Sequence, residues 1–409
     1  MHSKLSLRNL SVANQRVLVR VDFNVPLSEQ GQIVDDTRIV EALPTIRYLL
    51  EHDAKVILLA HLGRPKTGIS QALETNKKYS LAPVAKHLES LLGSPVQFSP
   101  ECIGPVAKSA ISSMKNGTTL LLENVRFHKE EESNDPSFAA ALGELGDLYV
   151  NDAFGAAHRA HASTAGITLH IRQAAMGFLM EKEMKYLQVE LQTPEHPFLV
   201  ILGGSKVSDK IGVIKALMTK ADTFLIGGAM AYTFLKATGI ETARSRVELD
   251  KIDLAKELLE EAHKQSIRFF LPIDCIATQT IEPGVPTKNV TLSPLSGISE
   301  GWEGVDIGLE TRLLYAQEIA HAKTILWNGP VGIFEIPDFS GGTRALAEAI
   351  AGNRNALSII GGGDSVTAVK QFGLANLMSF LSTGGGASLE LIEGKELPGI
   401  TALTDFRAF

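Results

Sequence analysis

The sequence predicts an α/β fold in two domains. Short runs of Val, Ile and Leu alternate with amphipathic stretches of helical length, and each run ends on polar groups or glycines. Size points the same way: 409 residues, 44% of them hydrophobic, exceed what one compact core accommodates and suit two.

In the first half the runs are RVLVRVDF, KVILLAHL, TTLLLENV and DLYVNDAF; in the second they are FLVILGG, TFLIGGAM, IRFFLPID, TILWNGP, LSIIGGGD and MSFLSTGGG. Apolar at almost every position, they read as strands buried on both faces, the mark of parallel sheets. Stretches such as 81–92 and 253–264 read as the helices that cover those faces. GFLMEKEMKYLQVELQ, residues 177–192, reads as one amphipathic helix ended by Thr193, Pro194 and Pro197, a stiff connector between the halves.

A formal net charge of -7 argues against nucleic acid or an acidic membrane surface as the main partner, so any basic site is local. Cys102 and Cys275 lie far apart without metal-ligand spacing and read as buried thiols of a reducing cytosol. The opening MHSKLSLRNLSVANQRVLVR holds no apolar segment of signal-peptide length, and no window approaches a membrane span, so a cytoplasmic protein is expected.

In open parallel sheets ligands gather at the carboxyl ends of the strands. After the N-terminal runs come Arg20, Asp22 and Asn24; His61 and Arg64; Arg126 and His128; and Asn151, Asp152, His158, Arg159 and His161. After the C-terminal runs come Gly203 and Gly204, Gly227 and Gly228, Gly329, Gly361 to Gly363 and Gly384 to Gly386. One half is suited to holding a small anion with side chains, the other to holding phosphates with backbone N–H groups at helix N-termini. A single strand-glycine-helix junction is explained by a tight turn; their recurrence favours phosphate.

ILGGSKVSDKIGVIKAL, residues 201–217, does not fit G-x-x-x-x-G-K-[ST], and no G-x-G-x-x-G occurs at these turns, which weakens a dinucleotide-binding oxidoreductase. Lys206 and Lys210, four apart, are expected to share a face in the first turns of a helix, either as surface charges or opposite a phosphate. Asp364 in GGGDS either caps a helix or holds magnesium on a nucleotide. Glu335 in WNGPVGIFE is a solvated loop residue or a partner for ribose hydroxyls. HRAH, residues 158–161, lacks a third ligand for zinc. The arginines at 20, 38, 64, 126 and 159 suit bidentate carboxylate or phosphate recognition or surface ion pairs.

RVDFNVP, DDTRI, AHLGRP, LLENVRF, NDAFGAAHRAH, LGGSKVSDKI, IGGAM, WNGPVG, GGGDS and STGGGASLELIEGKELPG, in this order over almost the whole chain, resemble the phosphoglycerate kinase family. The resemblance implies two doubly wound, Rossmann-like parallel-sheet domains joined by a hinge helix. It implies that 1–176 bind 3-phosphoglycerate, 177–192 form the inter-domain helix, 193–390 bind nucleotide and 391–409 return to the N-terminal domain. Carried onto matching positions, Asp22, Phe23, Asn24, Arg38, His61, Leu62, Gly63, Arg64, Arg126 and Arg159 would hold the phosphoglycerate. Lys206, Lys210, Gly304, Asn328, Glu335, Gly362, Gly363, Asp364 and Ser365 would hold ATP or ADP, with Mg2+ at Asp364. Arg38, Lys206, Lys210, Gly363, Gly385 and Gly386 would serve the transferring group. The implied protein is a cytoplasmic monomer acting on small molecules. Ala229 stands where many relatives have glycine, Ser365 where threonine is common, and the loop from Thr280 to Trp302 is distinctive.

The resemblance and the residues meet in the chemistry. A carboxylate of pKa about 4 is already ionised, so this acceptor needs no general base, and no evident base is present. In-line approach of two anions and neutralisation of the moving phosphoryl group are what remain to be supplied, with lobe closure to exclude water. A two-lobed solute-binding protein is the non-enzymatic rival; it would need an export signal and would not need two kinds of anion chemistry.

Overall fold

The structure, a computed structural model, describes residues 4–65 and 74–406. The chain divides into two compact units, one running to Lys185 and resuming at Glu396, the other spanning Tyr186–Lys395.

The first unit is built on β1 (Arg16–Val21), β2 (Lys55–Leu59), β3 (Val96–Ser99), β4 (Thr118–Leu122), β5 (Leu148–Asp152) and β6 (Ala174–Met176). They form one sheet in the order β3-β4-β2-β1-β5-β6, with every pairing parallel. Because side chains alternate across a strand, Val17, Val19 and Val21 join the core on one face while Leu18 joins the core on the other. Both faces are dry, which explains the unbroken apolar runs. Arg20 in β1 (1% exposed) and Asp152 at the end of β5 (0%) are ionisable side chains buried within these middle strands. The helix Thr37–Glu51 presses Ile39, Ala42, Leu43, Ile46 and Leu49 onto one face at helical spacing.

The C-terminal segment completes this unit. Leu5 N–H donates to Thr404 O (2.8 Å), Thr404 N–H to Ala174 O (2.9 Å) and Gly399 N–H to Ala157 O (2.8 Å). Leu403 is buried in the core face that holds Leu18.

The second unit contains β7 (Phe198–Leu202), β8 (Thr223–Ile226), β9 (Arg268–Phe270), β10 (Asp274–Thr278), β11 (Thr287–Thr291), β12 (Glu303–Ile307), β13 (Thr324–Asn328), β14 (Leu357–Gly361) and β15 (Phe380–Leu381). Its main sheet runs β15-β14-β13-β7-β8-β9, all parallel, so the chain reverses direction between β7 and β13. The α/β class and the parallel sheets agree with the sequence.

Several elements differ from expectation. IRFFLPID is not one strand: Pro272 separates β9 from β10, and β10 leaves the main sheet for a small antiparallel sheet, β11-β10-β12. The stretch from Thr280 to Trp302 contains β11, whose alternating half-exposed pattern resembles a polar loop because one face meets solvent. The short strands β3 and β6 also escape sequence reading. The connector is α-helical over Phe178–Met184 and π-helical over Lys185–Glu190, and the division between the two units falls at this change of winding. No helix among the described residues is long and apolar enough to cross a membrane.

Candidate active site

In the first unit the polar groups emerge from the carboxyl ends of four adjacent strands, β4, β2, β1 and β5. Asp22 follows β1 and accepts a hydrogen bond from Arg38 Nη1 at the head of the helix Thr37–Glu51. Its other oxygen accepts from Asn24 N–H (3.3 Å), and Asn24 Oδ1 in turn accepts from Gly63 N–H (2.8 Å). Arg126 Nη1 donates to Gly63 O (2.9 Å), and its Nε lies 3.4 Å from Glu132 Oε1. Asn124 braces the same loop, its Nδ2 donating to Leu62 O (2.8 Å) and Tyr79 O (2.9 Å) while its Oδ1 accepts from Arg126 N–H.

His61 lies at the centre of the positive charge. Its pKa is drawn well below the ordinary value by burial first, then by Arg20, Arg126, Arg38 and His161. It is therefore neutral. Arg20 Nη2 lies 3.0 Å from His61 Nδ1, and a guanidinium can only donate, so Nδ1 accepts and Nε2 carries the proton. His61 is thereby fixed as a hydrogen-bond donor. His161 is likewise lowered, to about 4, by burial, Arg126, Arg20 and Arg159.

Beneath this set lies a buried support. Arg20 Nε donates to Ser163 Oγ (2.8 Å), and Ser163 donates through N–H (2.9 Å) and Oγ–H (2.6 Å) to Glu131. Glu131 is fully buried, and burial raises its pKa against the pull of Arg20 and the Ser163 hydrogen bonds. Sequence reading missed Glu131, because KEEES reads as a solvated charge run. Arg20 had a signal, a charge set between the apolar residues of RVLVRV.

Phe23 (0% exposed) and Leu62 (3%) belong to the hydrophobic core. The exposed Arg64 shares no hydrogen bond or ion pair with the other expected residues among those described, while Arg159, also exposed, donates from Nε to His158 Nε2 (3.2 Å).

In the second unit the glycines fall into two kinds. Gly203, Gly204, Gly227 and Gly228 spend their N–H groups on Asn328 O, Pro330 O, Leu202 O and Val331 O, and Gly329 N–H goes to Ser365 Oγ (2.7 Å). A methyl group on Gly203 would lie 2.1 Å from Pro330 O, and one on Gly329 2.3 Å from Gly203 O. These glycines let turns from adjacent strands interlock; they are not phosphate donors, which corrects the reading drawn from their recurrence. Gly304 N–H is also committed, to Ser245 Oγ (3.0 Å).

The other kind begins helices. Gly362, at φ 85°, precedes the helix Gly363–Gln371, and Gly385 precedes the helix Gly386–Ile392. Nothing lies within 4 Å of a methyl group built on Gly363, Gly385 or Gly386. The first amides of each helix have no intrahelical partner and present partial positive charge.

Lys206 and Lys210 do not share a helical face. The helix starts only at Ile211, leaving Lys206 exposed in a loop and Lys210 buried at the N-cap. Lys210 Nζ donates to Asn328 Oδ1 at the end of β13. Burial lowers its pKa to about 8, opposed by the nearby charges of Asp209 and Asp364. Asn328 Nδ2 is buried without a hydrogen-bond partner among the described residues, and a methyl group on Gly361 would lie 3.1 Å from it. Asp364 is exposed in the first turn of its helix, and Gly362, at the N-cap position, makes no side-chain cap. Ser365 is fully buried, its Oγ accepting from Gly329 N–H, so it holds a turn rather than facing outward. Glu335 is exposed in the loop after β13. No group of three or more His, Cys, Asp or Glu among the described residues is placed to hold a metal ion, and both cysteines are buried and form no disulfide.

Two doubly wound α/β units, one presenting guanidinium and imidazole donors and the other a buried lysine with open helix N-termini, define an anion-handling phosphotransferase. Comparison with known proteins gives the family. Residues 7–395 match the family model described as phosphoglycerate kinase. The chain is 53% identical over 409 residues to the phosphoglycerate kinase of Koribacter versatilis, covering 98% of this chain and 100% of that one. It is 55% identical over 401 residues to that of Dictyoglomus turgidum, covering 98% of each. The solved phosphoglycerate kinase structure from Coxiella burnetii superposes with a TM-score of 0.86 at 40% identity, covering 98% of each chain. The chain belongs to the phosphoglycerate kinase family.

Proposed function

We propose that the chain catalyses the reversible, magnesium-dependent transfer of a phosphoryl group between ATP and the carboxylate of 3-phosphoglycerate, a step of glycolysis and gluconeogenesis. The observation that carries this reading is the pairing of two different anion sites in one chain of this family. One is the cationic cluster around neutral His61; the other is Lys210 with Asn328 and the open helix N-termini at Gly363 and Gly386.

Arg38, Arg126 and Arg159 bind the phosphoglycerate anion, His61 Nε2–H adds a neutral donor, and Asp22 and Asn24 orient Arg38 and the Gly63 loop. The substrate carboxylate attacks the γ-phosphorus; the new carboxylate O–P bond forms as the bond to the β,γ-bridging oxygen breaks, and ADP leaves. No proton moves, so no general base is required. Lys206, Lys210 and the N–H groups from Gly362–Asp364 and Gly385–Gly386 neutralise the nucleotide phosphates and the moving group, and Arg38 meets the latter from the acceptor side. Glu335 receives ribose hydroxyls, and Gly304 lies near the base. Asp364 suits Mg2+, a lone exposed carboxylate whose remaining ligands would be phosphate oxygens, and the ion supplies further charge neutralisation. Since the two anion sites belong to separate units, the units must come together during turnover, and the π-helical segment at the unit boundary is the candidate hinge. The protein works as a cytoplasmic monomer.

The test is a rate assay with ATP, magnesium and 3-phosphoglycerate, each omitted in turn. Turnover that requires all three is expected. Folded protein that binds ATP without turnover would overturn the acceptor assignment.

A further inference from the structure

The loop between β7 and the helix Ile211–Met218 carries both lysines, yet little regular backbone bonding holds it, the Lys210 N–H to Val207 O contact (2.8 Å) being one such bond. Glu248, some forty residues on, supplies what is missing. Its Oε2 accepts from Val207 N–H (2.5 Å) and Ser208 N–H (3.1 Å), and its Oε1 accepts from the Ser208 hydroxyl (2.6 Å). Partial burial works against its charge, but the bonds from Ser208 and Val207 outweigh it and hold the carboxyl below its usual range. The same residue's N–H donates to Thr233 Oγ1 (3.1 Å) in the helix Met230–Ala237, which follows the interlocked Gly227–Gly228 turn.

We infer that Glu248 is a positioning residue for phosphoryl transfer, clamping the Val207–Ser208 segment so that Lys206 and Lys210 on either side of it are presented to the nucleotide phosphates. This rests on the proposed role of Lys210. Val207 is fully buried, and removing the carboxylate takes from its N–H, and from the Ser208 N–H and hydroxyl, the one acceptor they share, so the segment loses the contact that fixes it. The clamp also answers what the Val207 and Ser208 amides beyond the glycines do: they hold the protein's own carboxylate. The phosphate contact is left to the lysine side chains.

The experiment compares Glu248→Ala, Glu248→Gln and Lys210→Ala in the full chain, measuring kcat, KM for ATP, KM for 3-phosphoglycerate and melting temperature. Glu248→Ala is expected to lower kcat by ~10-fold or more and raise KM for ATP, with KM for 3-phosphoglycerate unchanged, because sub-ångström placement governs such transfers. Glu248→Gln, which keeps an acceptor for the amides, should restore most of that loss. A Glu248→Ala protein with a lower melting temperature but unchanged kcat and KM for ATP at 25 °C would reduce Glu248 to a stabilising contact and overturn the inference. Normal turnover of Lys210→Ala would overturn the role of the lysine itself, and this inference with it.

Discussion

Lys210 is buried at the head of its helix, and burial lowers its pKa from 10.5 to about 8. A neutral amine neutralises no phosphate, so kcat/KM for ATP should fall as pH rises through about 8, with the limb displaced upward in kcat because bound phosphate favours the charged form. Stability has the opposite sign. Between about 8 and 10.5 the unfolded lysine holds a proton that the folded one has lost, so the Lys210 contribution makes the fold more stable as pH rises through that window. Lys210→Met should abolish both dependences, as read by rate profiles and melting temperature; a limb that persists belongs to another group. On the acceptor side, Arg38→Ala should lower kcat by at least ~10²-fold through loss of a preorganised charge. An unchanged kcat would remove Arg38 from the transferring-group role. Acid acts on His61: its folded pKa is depressed, so the unfolded chain takes up the proton first and stability from this residue is lost as pH falls below the ordinary histidine range.

Among the turns, glycine substitutions separate packing from binding. Gly203→Ala drives a methyl group to 2.1 Å from the Pro330 carbonyl and should destabilise the second unit by several kcal/mol, on the order of the larger overpacking costs. Gly386→Ala meets nothing within 4 Å and begins a helix, where alanine is favoured by at most about 1 kcal/mol, so the protein should fold at least as well. If a phosphate approaches that backbone closely, KM for ATP rises in the same variant. Thermal melts together with ATP titration test both, and a Gly386→Ala protein with unaltered KM and kcat would take this turn out of the site. The two kinds of glycine look alike in sequence, since LGG and TGGG both follow an apolar run. Only the neighbouring turn decides: Gly203 faces the Gly329–Pro330 backbone across the β7–β13 switch point, whereas Gly386 faces open space.

Over the whole molecule, the first unit is closed by residues that the chain supplies last. Removing 396–409 strips Leu397, Ile400 and Leu403 from it, each worth roughly 1.5–3 kcal/mol of burial. Calorimetry of the truncated chain should show the first unit melting earlier while ATP binding by the second persists; an unaltered melt would mean that the segment contributes nothing to the fold. The sequence by itself determined the α/β class, the parallel sheets, the polar strand ends and the family, because apolar periodicity and motif order are local properties of the chain. It could not place the small antiparallel sheet, whose half-exposed β11 reads as loop, or turn Phe23 and Leu62 into the core. The buried support of Arg20, Ser163 and Glu131, the protonated nitrogen of His61 and the carboxylate clamp on the lysine loop were decided only by tertiary structure. Each depends on desolvation and on contacts between residues far apart in the chain, and neither quantity is defined until the chain has folded.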